Sequence, residues 1–339
     1  MRISHELRVP APPGTVWRAL TDAEMARSWY YDMTVSSDWR PGSPVSYSWA
    51  PCGEGEKGVV VEAEPERRLV LETRYLFDDA LAGEPAHRTT WELSAAGSGT
   101  LLKLVYEVPE AAQVAAKLLK DDGEVPLRGL RLLLDPGAQA ELERLPAIGQ
   151  VELRDLSPAL VADYQRFFDE DAFRDHPAWA SCYCAETNVG ESVSRTGREN
   201  RAEMTRLIEA GEVTALLAYV DGRPVGWCNY GVTTHLAGVM SKIKLAAADH
   251  KGVGSVACFV IAAPYRRHGI AEMMLEAACS RLAARGCSAV EAYPRQGAGS
   301  DASSYRGPLE LYLRAGFEPY REAGRTLIVR KSLAVGHTS

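Results

Sequence analysis

Six consecutive residues, Arg266 to Ala271 (Arg-Arg-His-Gly-Ile-Ala), have the character of an anion-binding turn. They connect an apolar run, Cys258 to Ile261, to a segment whose apolar residues recur at helical spacing. The first amides of a helix have no partner within the helix and lie at the positive end of its dipole, so they can hold a diphosphate. The glycine and the alanine of this turn leave room for the phosphates, and its two arginines can add charge-assisted contacts.

Because so short a string also arises by chance, its setting must support the inference. The helix after the turn is amphipathic, with an apolar stripe made of Ile270, Met273, Met274, Ala277, Ala278 and Leu282. β-rich segments surround it, and the order of elements predicts an α+β domain with a mixed sheet. The predicted elements are strands Val213–Val220, Pro224–Tyr230, Ser255–Ile261 and Ala289–Tyr293, and a helix over 269–285.

The turn and a later segment, Leu311 to Phe317, together resemble the signatures of the GNAT superfamily of N-acetyltransferases. The resemblance extends to Pro224–Gly231, Cys258–Val260 and Val290–Pro294. It implies a GNAT mixed-sheet α/β domain that uses acetyl-CoA as cosubstrate. The acceptor would be an amine of a small molecule or a peptide.

The resemblance also implies roles for individual residues. Strand backbone would bind the pantetheine arm, the turn would bind the diphosphate, and a tyrosine would protonate the departing thiolate. The strand residues are Phe259, Val260 and Ile261, and the tyrosine is Tyr312. The turn residues are Arg266, Arg267, His268, Gly269, Ile270 and Ala271. An amide near Val260 would donate to the carbonyl oxygen as it gains charge. The alternative for Tyr312 is a packed core aromatic.

The acceptor amine must lose a proton, because an amine with a pKa near 10 is mostly protonated at neutral pH. Glu291, on the strand after the helix, is the candidate base, and His268 is the second choice. The alternative for Glu291 is a structural hydrogen bond at a strand edge. An acceptor pocket could be lined by the loop 296–305 and by Cys182, Tyr183, Cys184, Trp227 and Asn229, although such residues also simply pack.

The first part of the chain has a different pattern. A helix is predicted to start at Pro12 and Pro13 and to end near Trp29, and strands follow at Val59–Glu62, Arg68–Tyr75, Arg88–Ser94 and Leu101–Val108. The glycine-rich stretch 97–99 is predicted to join the last two strands as a hairpin. Helical segments after Pro109 are interrupted by Pro126, Gly129 and Pro136. A change of composition at 145–149 places the domain boundary there, giving domains 1–146 and 147–339.

This order of elements resembles the START-like, or SRPBCC, helix-grip fold, in the branch related to the activator of the heat-shock-protein ATPase. The residues that carry the resemblance are Val16 to Thr21 and Ala26 to Tyr30. It implies a possible small hydrophobic ligand in a cavity between sheet and helix. The alternative is a filled core in a structural or interaction domain.

Composition argues against several classes of function. The chain has 38 Lys and Arg against 45 Asp and Glu, without the basic cluster that nucleic acid requires. No apolar run reaches the roughly 18 residues of a membrane span, and no secretory signal begins the chain, so we expect a cytoplasmic protein without membrane contact. The seven cysteines fit reduced thiols, and Cys182 with Cys184 alone does not predict a metal site.

Two hypotheses follow. In the first, the protein is an acetyl-CoA-dependent N-acetyltransferase whose N-terminal domain binds a hydrophobic ligand or shapes the acceptor site. In the second, it is a ligand sensor or interaction protein that binds coenzyme A without turnover.

Overall fold

The computed structural model describes residues 1–49, 53–142, 148–189, 195–243, 250–294, 305–323 and 326–333. The chain forms two compact units. The first comprises Met1–Glu143, Asp175–Ser181 and Val193–Arg198, and the second comprises Arg144–Arg174, Cys182–Ser192 and Glu199–Ser339. Each unit contains a seven-stranded sheet and helices, which confirms the predicted α+β class. The predicted boundary between residues 146 and 147 lies outside the described residues and stays a prediction.

The sheet of the first unit is antiparallel throughout, in the order β1-β7-β6-β5-β4-β3-β2. Its strands are β1 Arg2–Val9, β2 Thr34–Ser37, β3 Pro44–Trp49, β4 Gly53–Glu64, β5 Arg68–Tyr75, β6 His87–Ala96 and β7 Gly99–Glu107. A two-residue turn at Gly97 and Ser98 joins β6 to β7, because Ala96 pairs with Gly99. The hairpin predicted at this glycine-rich turn is therefore confirmed.

The helices of the first unit are short. They are α1 Pro13–Thr21, α2 Ala23–Trp29, α3 Asp79–Ala82, α4 Gln113–Asp122, α5 Val125–Leu134 and α6 Pro136–Leu142. The predicted first helix divides at Asp22, whose extended backbone ends α1 and whose carboxylate accepts hydrogen bonds from the Glu24 and Met25 amides at 3.1 and 2.9 Å. An aspartate in this position caps the new helix.

The C-terminal helical region of this unit is interrupted, as the prolines predicted. Pro126 lies in the first turn of α5 and Pro136 begins α6, where a missing N–H costs no helical hydrogen bond. Gly129 does not interrupt a helix. It lies inside α5, where a Cβ would stand 2.5 Å from the backbone oxygen of Trp29 on α2. The glycine therefore sets how closely the two helices approach.

We expect Gly129→Ala to lower the free energy of unfolding by about 1–2 kcal/mol, because the steric clash outweighs the better helix propensity of alanine. Urea unfolding followed by tryptophan fluorescence measures this unit, which holds six of the seven tryptophans. Gly83→Ala is the matched control, since its Cβ would meet nothing closer than 3.7 Å. A more stable Gly129→Ala protein would contradict the assigned contact.

The sheet of the second unit has the order β13-β14-β12-β11-β10-β9-β8. Its strands are β8 Val151–Asp155, β9 Ala215–Val220, β10 Arg223–Val232, β11 Val253–Ile261, β12 Ala289–Ala292, β13 Glu318–Ala323 and β14 Thr326–Ser332. Among these described strands, β11 and β12 alone pair in parallel. The helix that connects them crosses one face of the sheet, as a parallel pair requires.

The remaining helices are α7 Val161–Arg166, α8 Ala185–Val189, α9 Gly197–Glu209, α10 Ala237–Ile243, α11 Ile270–Ala284 and α12 Leu309–Arg314. Helix α11 matches the predicted helix closely, but its buried face differs from the predicted stripe. Met273 is 40% exposed, whereas Leu275 and Cys279 are buried. The buried stripe thus lies further around the helix than the sequence suggested.

Strands β11 and β12 part before β11 ends. Their pairing covers four positions, from Val253 opposite Ala289 to Val256 opposite Ala292. Strand β11 continues for five more residues, paired to β10 on its other edge. A gap therefore opens in the sheet beside the end of β11, next to the start of α11.

Candidate functional site

A cleft of about 350 Å³ lies where β11 ends and α11 begins. We call it the helix-entry cleft. Its walls come from the strand end, the turn, the first residues of α11 and the segment around α12. The residues that line it are Phe259, Ile261, Tyr265, Arg266, Arg267, Gly269, Ile270, Ala271, Glu272, Gly307, Pro308, Leu311 and Arg314.

The turn presents the backbone of the helix start to this cleft. Arg267 and Gly269 both have positive φ angles, 62° and 78°. The first hydrogen bond of the helix runs from the Met273 amide to the Gly269 carbonyl, and no side chain caps the helix start. A Cβ at Gly269 would meet nothing within 4 Å. The amides of Gly269 to Glu272 therefore have no partner within the helix, and these four residues line the cleft, which is the arrangement that an anion needs.

The backbone of β11 decides which amides face the gap. The Ala262 amide donates to the Val225 carbonyl of β10 at 2.9 Å. Amides two residues apart point to the same side of a strand, so the Val260 amide also faces β10. Those of Phe259 and Ile261 face the gap, and the Phe259 amide donates there to the Tyr305 carbonyl. The oxyanion donor that we expected near Val260 therefore fits Ile261 better.

His268, which was predicted to contact the diphosphate, is not among the residues that line the cleft. Its Nδ1 lies 2.7 Å from the Arg266 carbonyl of its own turn, and the residue is exposed. The Nε of Arg266 donates to the Ile261 carbonyl at 2.9 Å. That contact holds the guanidinium beside the strand end.

Tyr312 is fully buried near the cleft. Its ring lies 6.5 Å from that of Phe259 and 5.3 Å from that of Phe317. Its hydroxyl donates to the Arg306 carbonyl. Burial raises the pKa of this hydroxyl, so the phenol keeps its proton at neutral pH. Tyr312 is thus a core aromatic that does not itself line the cleft, and its protonated hydroxyl lies directly behind Gly307, which does.

Glu291 lies on the opposite face of the sheet. Its neighbour Val290 packs in the core beneath α11, and alternation turns the Glu291 side chain the other way. Glu291 is fully buried, and its Oε1 accepts hydrogen bonds from Nε and Nη2 of Arg330, the former at 3.0 Å. Its Oε2 has no hydrogen-bond partner among the described residues and lies 3.7 Å from Nδ1 of the buried His250.

A hydroxyl chain lies beside this carboxylate on the same face. The Tyr293 and Ser255 hydroxyls are 2.6 Å apart, and those of Ser255 and Thr233 are 2.7 Å apart. Thr233 donates to the Val253 carbonyl at 3.0 Å. Sequence reasoning missed this chain, since its members come from three separate segments that no local pattern connects.

Several of the suggested acceptor-pocket residues do come together on that face. The side-chain amide of Asn229 donates to the side-chain oxygen of Asn188 at 3.2 Å. The Trp227 ring packs on Tyr164 with centroids 5.2 Å apart. The buried Cys184 also lies in this part of the unit, 3.5 Å from the Thr187 hydroxyl. The loop 296–305 lies outside the described residues except for its last residue.

Comparison with known families now identifies both parts of the chain. A family model described as "Acetyltransferase (GNAT) family" matches residues 178–317, and one described as "Activator of Hsp90 ATPase homolog 1-like protein", AHSA1, matches residues 10–131. The chain joins an AHSA1 domain to a GNAT acetyltransferase domain. Both predicted resemblances are therefore confirmed. A search of the curated proteins found no match.

Solved structures similar to this chain include CalU16 from Micromonospora echinospora, with 26% identity over 41% of this chain and 79% of that one, at a TM-score of 0.31. Protein MLL2253 from Mesorhizobium loti has 21% identity over 40% and 96% of the two chains, with a TM-score of 0.34. The Aha1 dimer from Colwellia psychrerythraea has 17% identity over 40% and 98%, with a TM-score of 0.32.

Within the GNAT domain, the helix-entry cleft collects most of the predicted cosubstrate residues and adds some that sequence reasoning missed. Gly307 and Pro308 line it although only the segment that follows them, Leu311 to Phe317, had been recognised, and Arg314 of that segment lines it as well. Among the described residues, no group of three or more His, Cys, Asp and Glu is arranged to hold a metal. No described helix is long and apolar enough to cross a membrane.

The interior of the AHSA1 domain is more polar than a cavity for a hydrophobic ligand would suggest. Glu56 is buried, and its carboxylate accepts hydrogen bonds from the hydroxyls of Tyr30 at 2.7 Å and Thr73 at 2.6 Å. Burial raises the pKa of Glu56, although both hydrogen bonds oppose the change. The nearby Tyr75 ring packs on His87 with centroids 4.9 Å apart.

His87 should make the AHSA1 domain sensitive to acid. Burial lowers its pKa from 6.5 to about 4, so the folded domain holds it neutral. Between those two values the unfolded chain binds a proton that the folded domain rejects, and the free energy of unfolding falls by up to about 3 kcal/mol as the pH drops. His87→Phe should remove much of this dependence in urea unfolding followed by tryptophan fluorescence. The exposed His235→Phe is the control, and an equal loss in both variants would contradict the assignment.

Proposed function

We propose that the protein is an acetyl-CoA-dependent N-acetyltransferase that transfers the acetyl group directly to an amine. The observation that carries the proposal is the continuity of three features. The unpaired amides at the start of α11, the helix-entry cleft and the gap between β11 and β12 lie next to one another along the end of β11. A diphosphate at the helix start would direct the pantetheine arm into the gap.

The residues of the cleft then have separate roles. The amides from Arg267 to Ala271 would hold the diphosphate, with charge added by Arg266 and Arg267. The gap-facing carbonyls of Phe259 and Ile261 would accept hydrogen bonds from the amides of the pantetheine. The Ile261 amide is our preferred donor to the carbonyl oxygen of the thioester as it gains charge.

Three bond changes complete the transfer. The amine nitrogen forms a bond to the thioester carbon, the carbon–sulfur bond breaks, and the amine gives up a proton. Tyr312, kept protonated by burial, would give its proton to the departing sulfur. This requires its hydroxyl to turn from the Arg306 carbonyl to the sulfur.

A base must take the proton that the acceptor amine gives up. Glu291 remains the candidate, but Arg330 engages its Oε1 and leaves only Oε2 to act. That oxygen faces His250, so a proton from the amine would reach Glu291 through this histidine or through water. Where the histidine keeps the proton, the carboxylate would orient and stabilise the protonated imidazole.

A second candidate function is coenzyme A binding without turnover, in a sensor or an interaction protein. The observation that favours it is that both proposed proton-transfer groups are engaged elsewhere. Glu291 is held by Arg330, and the Tyr312 hydroxyl is bound to a backbone carbonyl. Neither of these contacts argues against the binding of acetyl-CoA.

Two measurements on the full-length protein separate these functions. Calorimetric titration with acetyl-CoA should give saturable binding, and its absence would refute both. A thiol-release assay over a broad panel of amines, corrected for hydrolysis, should then show turnover with some members. Binding without release from any amine would support the sensor and count against the enzyme.

For the AHSA1 domain we propose a ligand-binding role that serves the transferase. A ligand in its interior would meet the Glu56 carboxylate and several tyrosine hydroxyls. A purely hydrophobic ligand would leave those groups without new partners, so we favour an amphipathic one. Shaping of the acceptor site by this domain is the other role that we retain.

A further inference from the structure

Arg321 carries a guanidinium edge that is buried in the GNAT domain. Its Nε and Nη2 are buried and have no hydrogen-bond partner among the described residues. Its guanidinium carbon lies 5.8 Å from the ring centre of the adjacent Tyr320. Withdrawing a charged donor from water without a partner is costly, so this edge would gain more from an anion than a solvated arginine would.

The same edge of other arginines in this chain holds carboxylates. Arg154 binds both oxygens of Glu152 through Nε and Nη2, each at 2.7 Å. Arg223 binds Asp171 in the same way, at 3.0 and 2.6 Å. The planar fork of a guanidinium matches the two oxygens of a carboxylate, and the pair is both stronger and more selective than a single contact. Arg321 has this fork without the carboxylate.

The position of Arg321 relates it to the gap in the sheet. It pairs with Ile328 across β13 and β14, so both side chains lie on one face. Ile328 packs with Tyr293 and Ala257 in a small core on that face. Ala257 directly follows Val256, the last residue of β11 that pairs with β12. The side chains of Ala257, Tyr293, Ile328 and Arg321 thus form a row that runs from the gap towards the edge of the sheet.

Tyr293, in the middle of this row, can only accept a further hydrogen bond. Thr233 uses its hydrogen on the Val253 carbonyl, so Ser255 must donate to Thr233 and Tyr293 must donate to Ser255. Any additional contact of the Tyr293 oxygen must therefore bring its own hydrogen, as an amine does.

Other charges on this face do not neutralise Arg321. Arg330 already binds Glu291 and stacks on the Tyr320 ring at 3.7 Å. Burial and the charge of Glu291 raise the pKa of Tyr293, and the positive charges of Arg306 and Arg321 oppose that change. Among the described residues, no carboxylate binds the Nε and Nη2 of Arg321.

We propose that Arg321 binds a carboxylate of the acceptor, so that the substrates are amines that also carry a carboxylate, such as free amino acids or ω-amino acids. This inference rests on the proposed acetyl transfer and narrows its acceptor class. The fork holds the carboxylate, and the amine lies towards the gap where the thioester carbon would be. Because Ile328, Tyr293 and Ala257 are buried, their packing must open to admit the acceptor.

A homologous series of acceptors tests the proposal on the full-length protein. The probes are ω-amino carboxylates from glycine to aminohexanoate, together with lysine, each compared with its carboxamide. With acetyl-CoA present, the best carboxylate should exceed its carboxamide in kcat/KM by roughly 10- to 100-fold, the value of a charge-assisted hydrogen-bond pair. The chain length that reacts best reports the separation between fork and thioester. A carboxamide that reacts equally well throughout the series would overturn the proposal.

Two substitutions assign the preference to the fork. Arg321→Gln should reduce the carboxylate's kcat/KM to that of the carboxamide while leaving the carboxamide rate and the acetyl-CoA affinity unchanged. Arg321→Lys keeps the charge but not the fork, and should lose most of the preference. Arg206→Gln, a half-exposed arginine paired with Glu203 on α9, is the control for loss of charge. A preference that survives both Arg321 substitutions would overturn the assignment.

A binding readout separates this inference from the proposed function. The proposed acetyl transfer fails if no amine of the broad panel reacts, and calorimetric titration with aminohexanoate and its carboxamide then decides the role of Arg321 alone. Carboxylate binding that is lost in Arg321→Gln supports the site, whereas equal or absent binding of both probes refutes it. Thermal unfolding of each variant checks the fold, and an unfolded Arg321→Gln leaves Arg321→Lys to make the same comparison.

Discussion

Replacing Gly269 with glutamate is expected to weaken acetyl-CoA binding by at least about 100-fold, because a carboxylate would lie where the diphosphate is to be held, and opposed like charges cost several kcal/mol. The glycine has a φ of 78° at the start of α11, and a Cβ there would meet nothing within 4 Å. The new side chain therefore projects into the cleft without displacing other residues. Calorimetric titration of the folded variant measures the loss.

The control for this substitution lies at the other end of the same helix. Gly286 also has a positive φ, 82°, and a Cβ at this position would likewise meet nothing within 4 Å. Gly286→Glu thus introduces the same backbone strain and the same charge away from the cleft, and we expect it to leave acetyl-CoA affinity unchanged. Equal losses in the two variants would mean that general charge or strain, not the anion site, explains the result.

Replacing Tyr312 with phenylalanine is expected to lower turnover by roughly 10- to 1000-fold while leaving acetyl-CoA affinity unchanged. The ring would keep its packing against Phe259 and Phe317, so the change removes only the hydroxyl. Without that proton, the thiolate must leave unprotonated. The thiol-release assay with the best acceptor, at saturating acetyl-CoA, measures the effect.

A structural effect of losing the hydroxyl must be told apart from a chemical one, since this hydroxyl also binds the Arg306 carbonyl. An acetyl donor with an aryl thiol needs less protonation of its leaving group, so it should restore much of the rate if Tyr312 is the acid. Tyr230→Phe, which removes a fully buried hydroxyl that donates to Asp155 at 3.3 Å, is the control. A defect that persists with the aryl donor would assign Tyr312 to packing alone.

The sequence predicted the regular elements best where side-chain periodicity was strong. Strand β5 matches the predicted Arg68–Tyr75, and α11 begins within a residue of its predicted start. Strand β1 was missed because its charged residues alternate with only a few apolar ones, and pairing with β7 is what makes it a strand. The division of the first helix at Asp22 depended on a local cap that we did not recognise.

Only part of the candidate site could be predicted from the sequence. The turn and its glycine could be recognised because their chemistry is local. Which amides of β11 face the gap depends on one extra residue, Ala257, where the pairing with β10 shifts by one position. Such a shift exchanges the two sides of the strand, and no sequence pattern reveals it.

Long-range pairing was equally invisible. Glu291 and Arg330 meet because β12 and β14 are neighbours in this register. Glu291 was therefore placed on the correct strand, but its ion pair with Arg330 was not predicted. The unpaired fork of Arg321 likewise follows from the pairing of β13 with β14, which brings it to the face that carries Tyr293.

The brief parallel pairing of β11 with β12 also bears on how the GNAT domain comes apart. Four residue pairs join the β12, β14 and β13 ribbon to the four-stranded remainder of the sheet, whereas β10 pairs with β11 at seven positions. Few backbone hydrogen bonds therefore have to break for the C-terminal ribbon to detach. The ribbon forms a natural subglobal unfolding unit, whose amides would exchange with solvent at a lower free energy than those of β9 and β10. A cosubstrate bound in the gap would contact both cooperative units of the sheet and would therefore stabilise it against detachment of the ribbon.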